Sequence, residues 1–243
     1  MLGPSRVVVV VPAYNEAPRI GRVLATMPEC VDRVVVVDDA SRDGTAEAAQ
    51  AEGDARVEVV KHERNRGVGA AIVTGYEQAL REGGGENDAF AVMAGDGQMD
   101  PADLRRVVAP IAHGEADYVK GDRLHARDIA RVMPPARLLG GMAFSWATSR
   151  AIGIAVSDSQ CGYTAISRRA CSRLDLDDLW PGYGYPNDLL SQLALRRLRI
   201  AEVPVRAVYA DEVSRLTLRH LPVIAALVAR AWVRRVGRRS PRA

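Results

Sequence analysis

Acidic and small polar residues gather in three short runs of this chain: Pro12-Ala13-Tyr14-Asn15-Glu16, Asp38-Asp39-Ala40-Ser41-Arg42-Asp43-Gly44-Thr45 and Gly95-Asp96-Gly97-Gln98-Met99-Asp100. Any one of them could simply cap the helix that follows, because Asp, Asn, Ser and Thr accept hydrogen bonds from the free N–H groups at a helix start. Three at successive strand ends carry a second meaning. In open α/β sheets ligands bind beyond the carboxyl ends of the strands, and each run follows an apolar segment of strand character. Further candidates lie downstream. Asp188, in the Asn187-Asp188 pair behind a Gly-Tyr loop, is the best-placed general base, with Asp158 second. An alcohol nucleophile needs such a base within hydrogen-bond reach, whereas a phosphate, already anionic near neutral pH, does not. Arginine matches phosphate better than lysine does, but with 31 arginines and two lysines an isolated arginine says little. His62, His113, His125 and His220 show no ligand spacing and read as surface or loop residues.

The elements that must hold these residues are legible from the apolar pattern. Continuous runs at Val7–Val11, Val34–Val37, Val57–Val60 and Ala89–Ala94 suit central strands covered on both faces. Helical periodicity lies between them at Pro18–Thr26, Thr45–Glu52, Val68–Glu82 and Pro101–Ala112, with Pro18 and Pro101 in the first turn and Asp100 as an N-cap. Repeated strand–helix units predict an α/β fold with a mostly parallel sheet and helices on both faces. The second half is less regular: strands at Tyr118–Lys120, Tyr163–Ser167 and Glu202–Tyr209, and helices at Arg137–Ile152 and Leu189–Arg197. Gly67-Val68-Gly69 lacks the third glycine and the leading strand of a dinucleotide fingerprint, which argues against a dehydrogenase.

Composition narrows the class. A chain of 243 residues, 48% apolar and 26% charged, is that of a globular protein with a real core. Cys30, Cys161 and Cys171 are too few and scattered for a disulfide framework or zinc site, so a reducing compartment is expected. The first apolar run reads as a buried strand rather than a signal peptide, and no stretch is long enough to cross a bilayer. The net charge of +3 is uneven. Residues 215–243 hold eight arginines and no acid, while the other 214 residues sum to −5. Leu218, Leu221, Ile224, Leu227, Val228 and Trp232 recur at helical spacing there, with Arg230, Arg234, Arg235 and Arg238 toward the end. We therefore divide the chain into a catalytic domain, 1–214, and a basic amphipathic helical tail, 215–243, suited to an anionic membrane surface. Nucleic acid is not expected, since no aromatic stacking platform accompanies the charge.

Read in order, Val8–Glu16, Val35–Thr45 and Ala94–Pro101 resemble the inverting GT-A glycosyltransferases of family 2, and most of all their dolichyl- or polyprenyl-phosphate mannosyltransferase branch. Asn65-Arg66-Gly67-Val68-Gly69-Ala70, Gly121-Asp122-Arg123, Asp158-Ser159-Gln160-Cys161-Gly162-Tyr163 and Ser214-Arg215 extend the likeness over roughly residues 6–216. The resemblance implies a GT-A fold, a Mg²⁺ or Mn²⁺ cofactor held by Asp96 and Gln98, and donor contacts from Pro12, Tyr14, Glu16, Asp39 and Arg215. It implies acceptor contacts from Arg123, Arg137, Asp158, Gln160 and Tyr163. Asp39 can accept a hydrogen bond from a base imide and Tyr14 offers a flat face, while Asp38 is expected to stabilise its loop. Gly67 and Gly69 are expected to permit close backbone packing near the donor. The chain departs from the pattern at Ala94, in place of the first metal-binding Asp, at Gly141, in place of a serine, and at Glu212 and Val213, where a glycine and an acid are usual.

The expectation is transfer of a hexose from a UDP- or GDP-sugar to a polyprenyl phosphate, catalysed with Asp96 and Arg123, by a cytoplasmic enzyme peripheral to the inner face of the membrane. Two alternatives stay open. One is a soluble hydroxyl acceptor with Asp188 as base. The other, permitted by Ala94, is a nucleotide-sugar-binding partner subunit without turnover.

Overall fold

The chain is described here by a computed structural model that covers residues 5–125, 129, 133–206, 208 and 220–237. The valine-rich runs become the middle of a sheet for the reason their composition suggests. Strand β1 (Val7–Ala13) is buried throughout. Val7, Val9 and Val11 enter one core, and Val8 and Val10 the other, because successive side chains of a strand point to opposite faces. Around it run β2 (Arg33–Asp38), β3 (Val57–Lys61), β4 (Ala89–Val92), β5 (Tyr118–Asp122), β6 (Thr164–Ser167) and β7 (Ile200–Pro204). Their order is β3-β2-β1-β4-β6-β5-β7. β1, β2, β3 and β4 pair in parallel, as do β5 and β7, and β6 alone runs antiparallel to both of its neighbours.

Helices cover both faces. α1 (Ala17–Ala25), α2 (Thr45–Ala51) and α4 (Leu104–Ala112) pack on one side, through Ile20, Leu24, Ala49, Val107 and Ile111. α3 (Val68–Arg81), α6 (Arg168–Cys171) and α7 (Tyr185–Leu195) pack on the other, through Ile72, Tyr76, Cys171, Leu189 and Leu193. α5 (Pro135–Ile152) and α8 (Leu221–Gly237) join this second layer.

The structure departs from the sequence reading at several elements. β3, expected as a central strand covered on both faces, is the half-buried edge strand of the sheet and carries Glu58 in its middle. The strand expected over Glu202–Tyr209 begins earlier and stops at Pro204, at the sheet edge, where proline is tolerated; residues 207 and 209 lie outside the described residues. The helix expected from Leu189 starts at Tyr185 and so absorbs part of the Gly-Tyr loop, with Gly184 at φ +102° before it and Pro186 in its first turn. The segment from Pro101 opens as a 3₁₀ turn, Pro101–Asp103, capped by the Asp100 side chain, which accepts the Ala102 N–H at 2.9 Å.

Candidate active site

Parallel pairing of β2, β1 and β4 brings the three polar runs to one edge of the sheet. The backbone continues that alignment past the strands: Asp39 N–H donates to Ala13 O at 2.9 Å and Gly95 N–H to Pro12 O at 3.1 Å. Loops one and two are then stitched by side chains. Asn15, at φ +53°, receives Arg42 N–H on its Oδ1 and donates its own N–H to Ser41 Oγ. Glu16 N–H donates to Thr45 Oγ1 and Ala17 N–H to Asp43. Burial alone would raise the Asp43 carboxyl, but the hydrogen bonds from Thr45 and the backbone outweigh it and hold it below its ordinary value. Asp38 accepts Ser41 N–H at 3.1 Å, the loop-stabilising contact expected of it.

Asp39 is the hub of this end. Its Oδ1 accepts Arg66 N–H at 2.8 Å and faces His62 Nδ1 at 2.7 Å, and its Oδ2 accepts Gly67 N–H at 2.8 Å. His62 Nε2 in turn meets Thr74 Oγ1 at 3.0 Å. His62 lies in a loop, as the surface-or-loop reading allowed, but its side chain is 5% exposed and holds Asp39. The available signal was its position directly after a strand, at the same sheet edge as the other runs. Gly67 and Gly69 are glycines because the 180–182 loop passes against them. A Cβ would lie 2.6 Å from Pro181 O at Gly67 and 2.3 Å from Trp180 O at Gly69.

Of the remaining donor candidates, Pro12 is buried in β1 and Tyr14 is half-buried in loop one. Glu16 is buried and paired with Arg19 at 2.9 Å. Asp96 follows β4 and its Oδ1 accepts Gln98 N–H at 3.0 Å across the turn at Gly97, so both residues sit on one short loop. Among the described residues no three His, Cys, Asp or Glu side chains are gathered as a cation cage. One carboxylate and one amide are nonetheless hard oxygen donors of the kind Mg²⁺ and Mn²⁺ take alongside water and phosphate oxygens, and in that sense the residues fit such an ion. Arg215 lies outside the described residues.

A second cluster forms at the ends of β5 and β6. Arg123 grips Asp158 in a fork, Nε to Oδ2 at 2.8 Å and Nη2 to Oδ1 at 3.0 Å. Burial by itself would raise the Asp158 carboxyl, but the Arg123 charge and hydrogen bonds outweigh it and hold it below the usual carboxylate range. Lys120, one of the two lysines in the chain, is fully buried beneath and donates to Cys161 O at 2.6 Å. Sequence reasoning passed over it, because nothing in a short β-strand run marks a lysine as internal. Gln160 Nε2 bridges to Ser159 Oγ and Asn187 Oδ1. Tyr163 is buried and its hydroxyl donates to Asp100 O at 3.1 Å. Gln98, Arg123, Cys161 and Tyr163 line one small cleft, which joins the Asp96 loop to the Arg123 cluster. Arg137 is half-buried in the first turn of α5.

Asp188 has a different setting. It is 1% exposed, Oδ2 accepts Trp180 N–H at 3.0 Å and Oδ1 accepts Arg234 Nη1 at 3.0 Å. The carboxylate therefore ties α8 to the loop behind Gly67 and Gly69, a structural task that its placement favours over proton abstraction. Asp188→Asn is expected to cost about 1–3 kcal/mol in denaturant unfolding while the folded variant keeps kcat within about threefold. An enzyme that needed this base would instead lose orders of magnitude in kcat at unchanged stability.

The tail itself docks. Ile224, Leu227 and Ala231 are buried against the domain, and Arg230 and Arg234 pair with Asp178. Much of the stripe read as a membrane anchor is thus already occupied. No helix among the described residues is long and apolar enough to cross a membrane.

This architecture is that of the GT-A glycosyltransferases. Glucosyl-3-phosphoglycerate synthase from Mycobacterium tuberculosis, crystallised with Mn²⁺, uridine diphosphate and phosphoglyceric acid, superposes with a TM-score of 0.68 at 23% identity, over 96% of this chain and 79% of that one. Mannosyl-3-phosphoglycerate synthase from Rubrobacter xylanophilus gives 0.69 at 18%, over 98% and 78%. The pattern of Glycosyl transferase family 2 matches residues 8–175, and the chain belongs to that family of enzymes. It is similar to the UDP-N-acetylglucosamine–dolichyl-phosphate N-acetylglucosaminyltransferase of Methanococcus voltae, 29% identical over 83% of this chain and 85% of the relative. The undecaprenyl-phosphate mannosyltransferase of Micrococcus luteus is 30% identical over 82% of each chain. The polyprenol monophosphomannose synthase of Mycolicibacterium smegmatis is 30% identical over 83% of this chain and 77% of its own.

Proposed function

We propose that this glycosyltransferase moves a hexose from a UDP- or GDP-sugar to a polyprenyl phosphate, with inversion, while attached peripherally to the inner face of the membrane. The observation that carries the reading is the Arg123–Asp158 fork, set in one cleft with Gln98 of the Asp96 loop. The relatives named for polyprenyl- and dolichyl-phosphate acceptors support it. A phosphate oxygen of the acceptor forms the new bond to the anomeric carbon as the bond to the nucleoside diphosphate breaks, and the electron pair leaves with that diphosphate. Such a nucleophile is already anionic, so the protein's task is orientation and charge balance. Arg123 would hold the acceptor phosphate, Asp158 would aim Arg123, and Gln160, Tyr163 and Arg137 would shape the surroundings. Loops one and two, with Pro12, Tyr14, Glu16 and Asp39, would receive the nucleoside, and Arg215 the diphosphate. Asp96 and Gln98 would hold a divalent cation, which when bound supplies positive charge to the leaving diphosphate.

The test is transfer of labelled sugar from a panel of UDP- and GDP-sugars to a polyprenyl phosphate, to the corresponding free alcohol, and to simple sugars. Product should form with the phosphate and disappear on chelation of divalent metal. Product with an alcohol or sugar but none with the phosphate would overturn the acceptor; undiminished product after chelation would overturn the cofactor.

A further inference from the structure

The loop of residues 180–184 is pressed between α3 and α8. Toward α3, Pro181 O accepts Ala70 N–H at 3.0 Å, and the backbone at Gly67 and Gly69 comes so near that a Cβ would fall 2.6 Å from Pro181 O and 2.3 Å from Trp180 O. Toward α8, a Cβ at Gly184 would fall 2.8 Å from Leu227 Cδ1, and the Tyr183 ring lies 4.6 Å from that of His220. Charge closes the arrangement. Arg234 Nη1 donates to Asp188 Oδ1 at 3.0 Å and Asp188 Oδ2 accepts Trp180 N–H at 3.0 Å, so one buried carboxylate joins helix to loop. Arg234 Nη2 and Arg230 Nη2 take the two oxygens of Asp178, at 2.5 Å and 2.7 Å. On the α3 side the chain leads straight to Asp39, which accepts the N–H groups of Arg66 and Gly67 at 2.8 Å each.

We infer that Arg234 is a positioning residue for the nucleotide-sugar site: through Asp188 it clamps the 180–184 loop onto α3 and so holds the pair of backbone N–H groups that orients Asp39. The inference rests on the reading of Asp39 as a donor contact, and it gives the docked tail a task beyond covering the second core. The path runs from Arg234 through Asp188, Trp180, Gly69 and Gly67 to Asp39. Each step is a hydrogen bond or a backbone contact too close for a methyl group. Close-packed groups pass a displacement on rather than absorb it. Arginine suits the task because its planar fork spans Asp188 and Asp178 together, where a lysine ammonium would act as one point charge. Loss of the clamp loosens the loop from α3, and Asp39 then no longer presents a single geometry to a nucleoside. The acceptor cluster has its own supports: Arg123 and Asp158 hold each other, and Asp158 N–H donates to Glu202 Oε1 of β7 at 3.3 Å.

The test is calorimetric titration of the full chain with UDP and with GDP in the presence of Mn²⁺, below the melting temperature of every variant. For whichever nucleotide the parent binds, Arg234→Met is expected to raise Kd by about fivefold or more, with acceptor KM within about twofold of the parent's. Arg234→Lys, which keeps a charge for Asp188, should recover part of the affinity. Should Arg234→Met fail to fold, Arg234→Gln keeps a hydrogen-bond donor for Asp188 and is expected to weaken binding in the same direction. Arg199→Met is the control. It breaks an arginine–carboxylate pair with Asp117, just before β5 at the opposite edge of the sheet, and should lower the melting temperature without moving Kd. Nucleotide binding equal to the parent's in the folded Arg234 variants overturns the inference. So does an equal rise of Kd in Arg199→Met, or an acceptor KM that climbs in step with Kd, since either would mean general loosening of the domain. A parent that binds neither nucleotide overturns the donor reading itself, and the inference falls with it.

Discussion

Replacement of Asp96 by alanine is expected to reduce kcat/KM for sugar transfer by about a thousandfold or more, which corresponds to at least about 4 kcal/mol of transition-state stabilisation. The size of the effect follows from how little else stands there. Ala94 occupies the position where the resembling pattern has another carboxylate, so on the proposed reading Asp96 and the Gln98 amide would be what this loop offers to a cation at the leaving diphosphate. Charge that develops on a departing phosphate is stabilised mainly by preorganised positive charge, and without Asp96 the acid left in that run is Asp100, which is engaged by Ala102 N–H and Arg206. The substitution should cost little stability, because Asp96 is half-buried in a turn, where it accepts Gln98 N–H within the same short loop. Asp96→Asn keeps an oxygen acceptor for that contact and loses the charge, and should recover part of the rate as Mn²⁺ is raised. Transfer measured against a Mn²⁺ titration checks both variants. A parent-like rate for Asp96→Ala would falsify the metal assignment, and an equal loss at every Mn²⁺ concentration in Asp96→Asn would move the residue's role to the turn itself.

What could be read from the chain before its structure depended on how local the cause was. β1, β2 and β4 were legible because a strand buried on both faces needs an unbroken apolar run, and Val7–Val11 or Val34–Val37 has no other comfortable setting; β3, with Glu58 in its run, was legible as a strand but not as the half-buried edge it forms. That the polar runs after them meet at one edge was legible because parallel pairing forces neighbouring strand ends together. The direction of β6 was not, since four residues, Thr164–Ser167, pair equally well either way and the choice is made by the long connection before them. The partners of His62 and the burial of Lys120 were hidden for the same reason: a buried polar side chain is explained by its partner, and those partners are Asp39, 23 residues away, and Cys161, 41 away.

The same distance explains Asp188 and the tail. An acid after a Gly-Tyr loop looks available for proton transfer until Arg234, 46 residues on, is seen to occupy it. The apolar stripe of α8 was readable as a stripe, but whether it meets lipid or protein is decided by the surface opposite, and no sequence window contains both. In α5 apolar and small residues occur on both sides, Leu139, Met142 and Trp146 exposed and Ala151 and Ile152 buried, so the pattern does not say which side faces in. The inward side is set by long-range partners, among them those of Ser145 and Thr148.

Arg123 should separate acceptor handling from donor handling more cleanly than any other residue. Arg123→Lys retains a positive charge but loses the planar fork that holds Asp158 through two nitrogens. It should raise the acceptor KM by about tenfold while UDP or GDP affinity changes by less than about twofold. Arg123→Ala should go further, a loss of about a hundredfold or more in kcat/KM for the acceptor, and should also destabilise the fold by about 3 kcal/mol, because it strands a buried carboxylate without its partner. The pH dependence of stability distinguishes the two losses. In the parent, Asp158 has a folded pKa below its unfolded one, so its stabilisation is complete above about pH 4 and is lost as the pH falls through the folded value. Without Arg123, burial raises that carboxyl instead, the folded state binds the proton more readily than the unfolded chain, and the variant recovers stability as the pH is lowered toward 4. Unfolding by denaturant across pH 4–7 reads this directly, and acceptor KM measured at neutral pH on the folded fraction reads the other effect. Should UDP or GDP affinity fall in step with acceptor KM in both variants, Arg123 belongs to the framework of the whole cleft and the acceptor-phosphate role is lost. Should the stability profiles of parent and Arg123→Ala run parallel, the fork is not what keeps Asp158 ionised, and the buried ammonium of Lys120, fixed on Cys161 O, becomes its counter-charge.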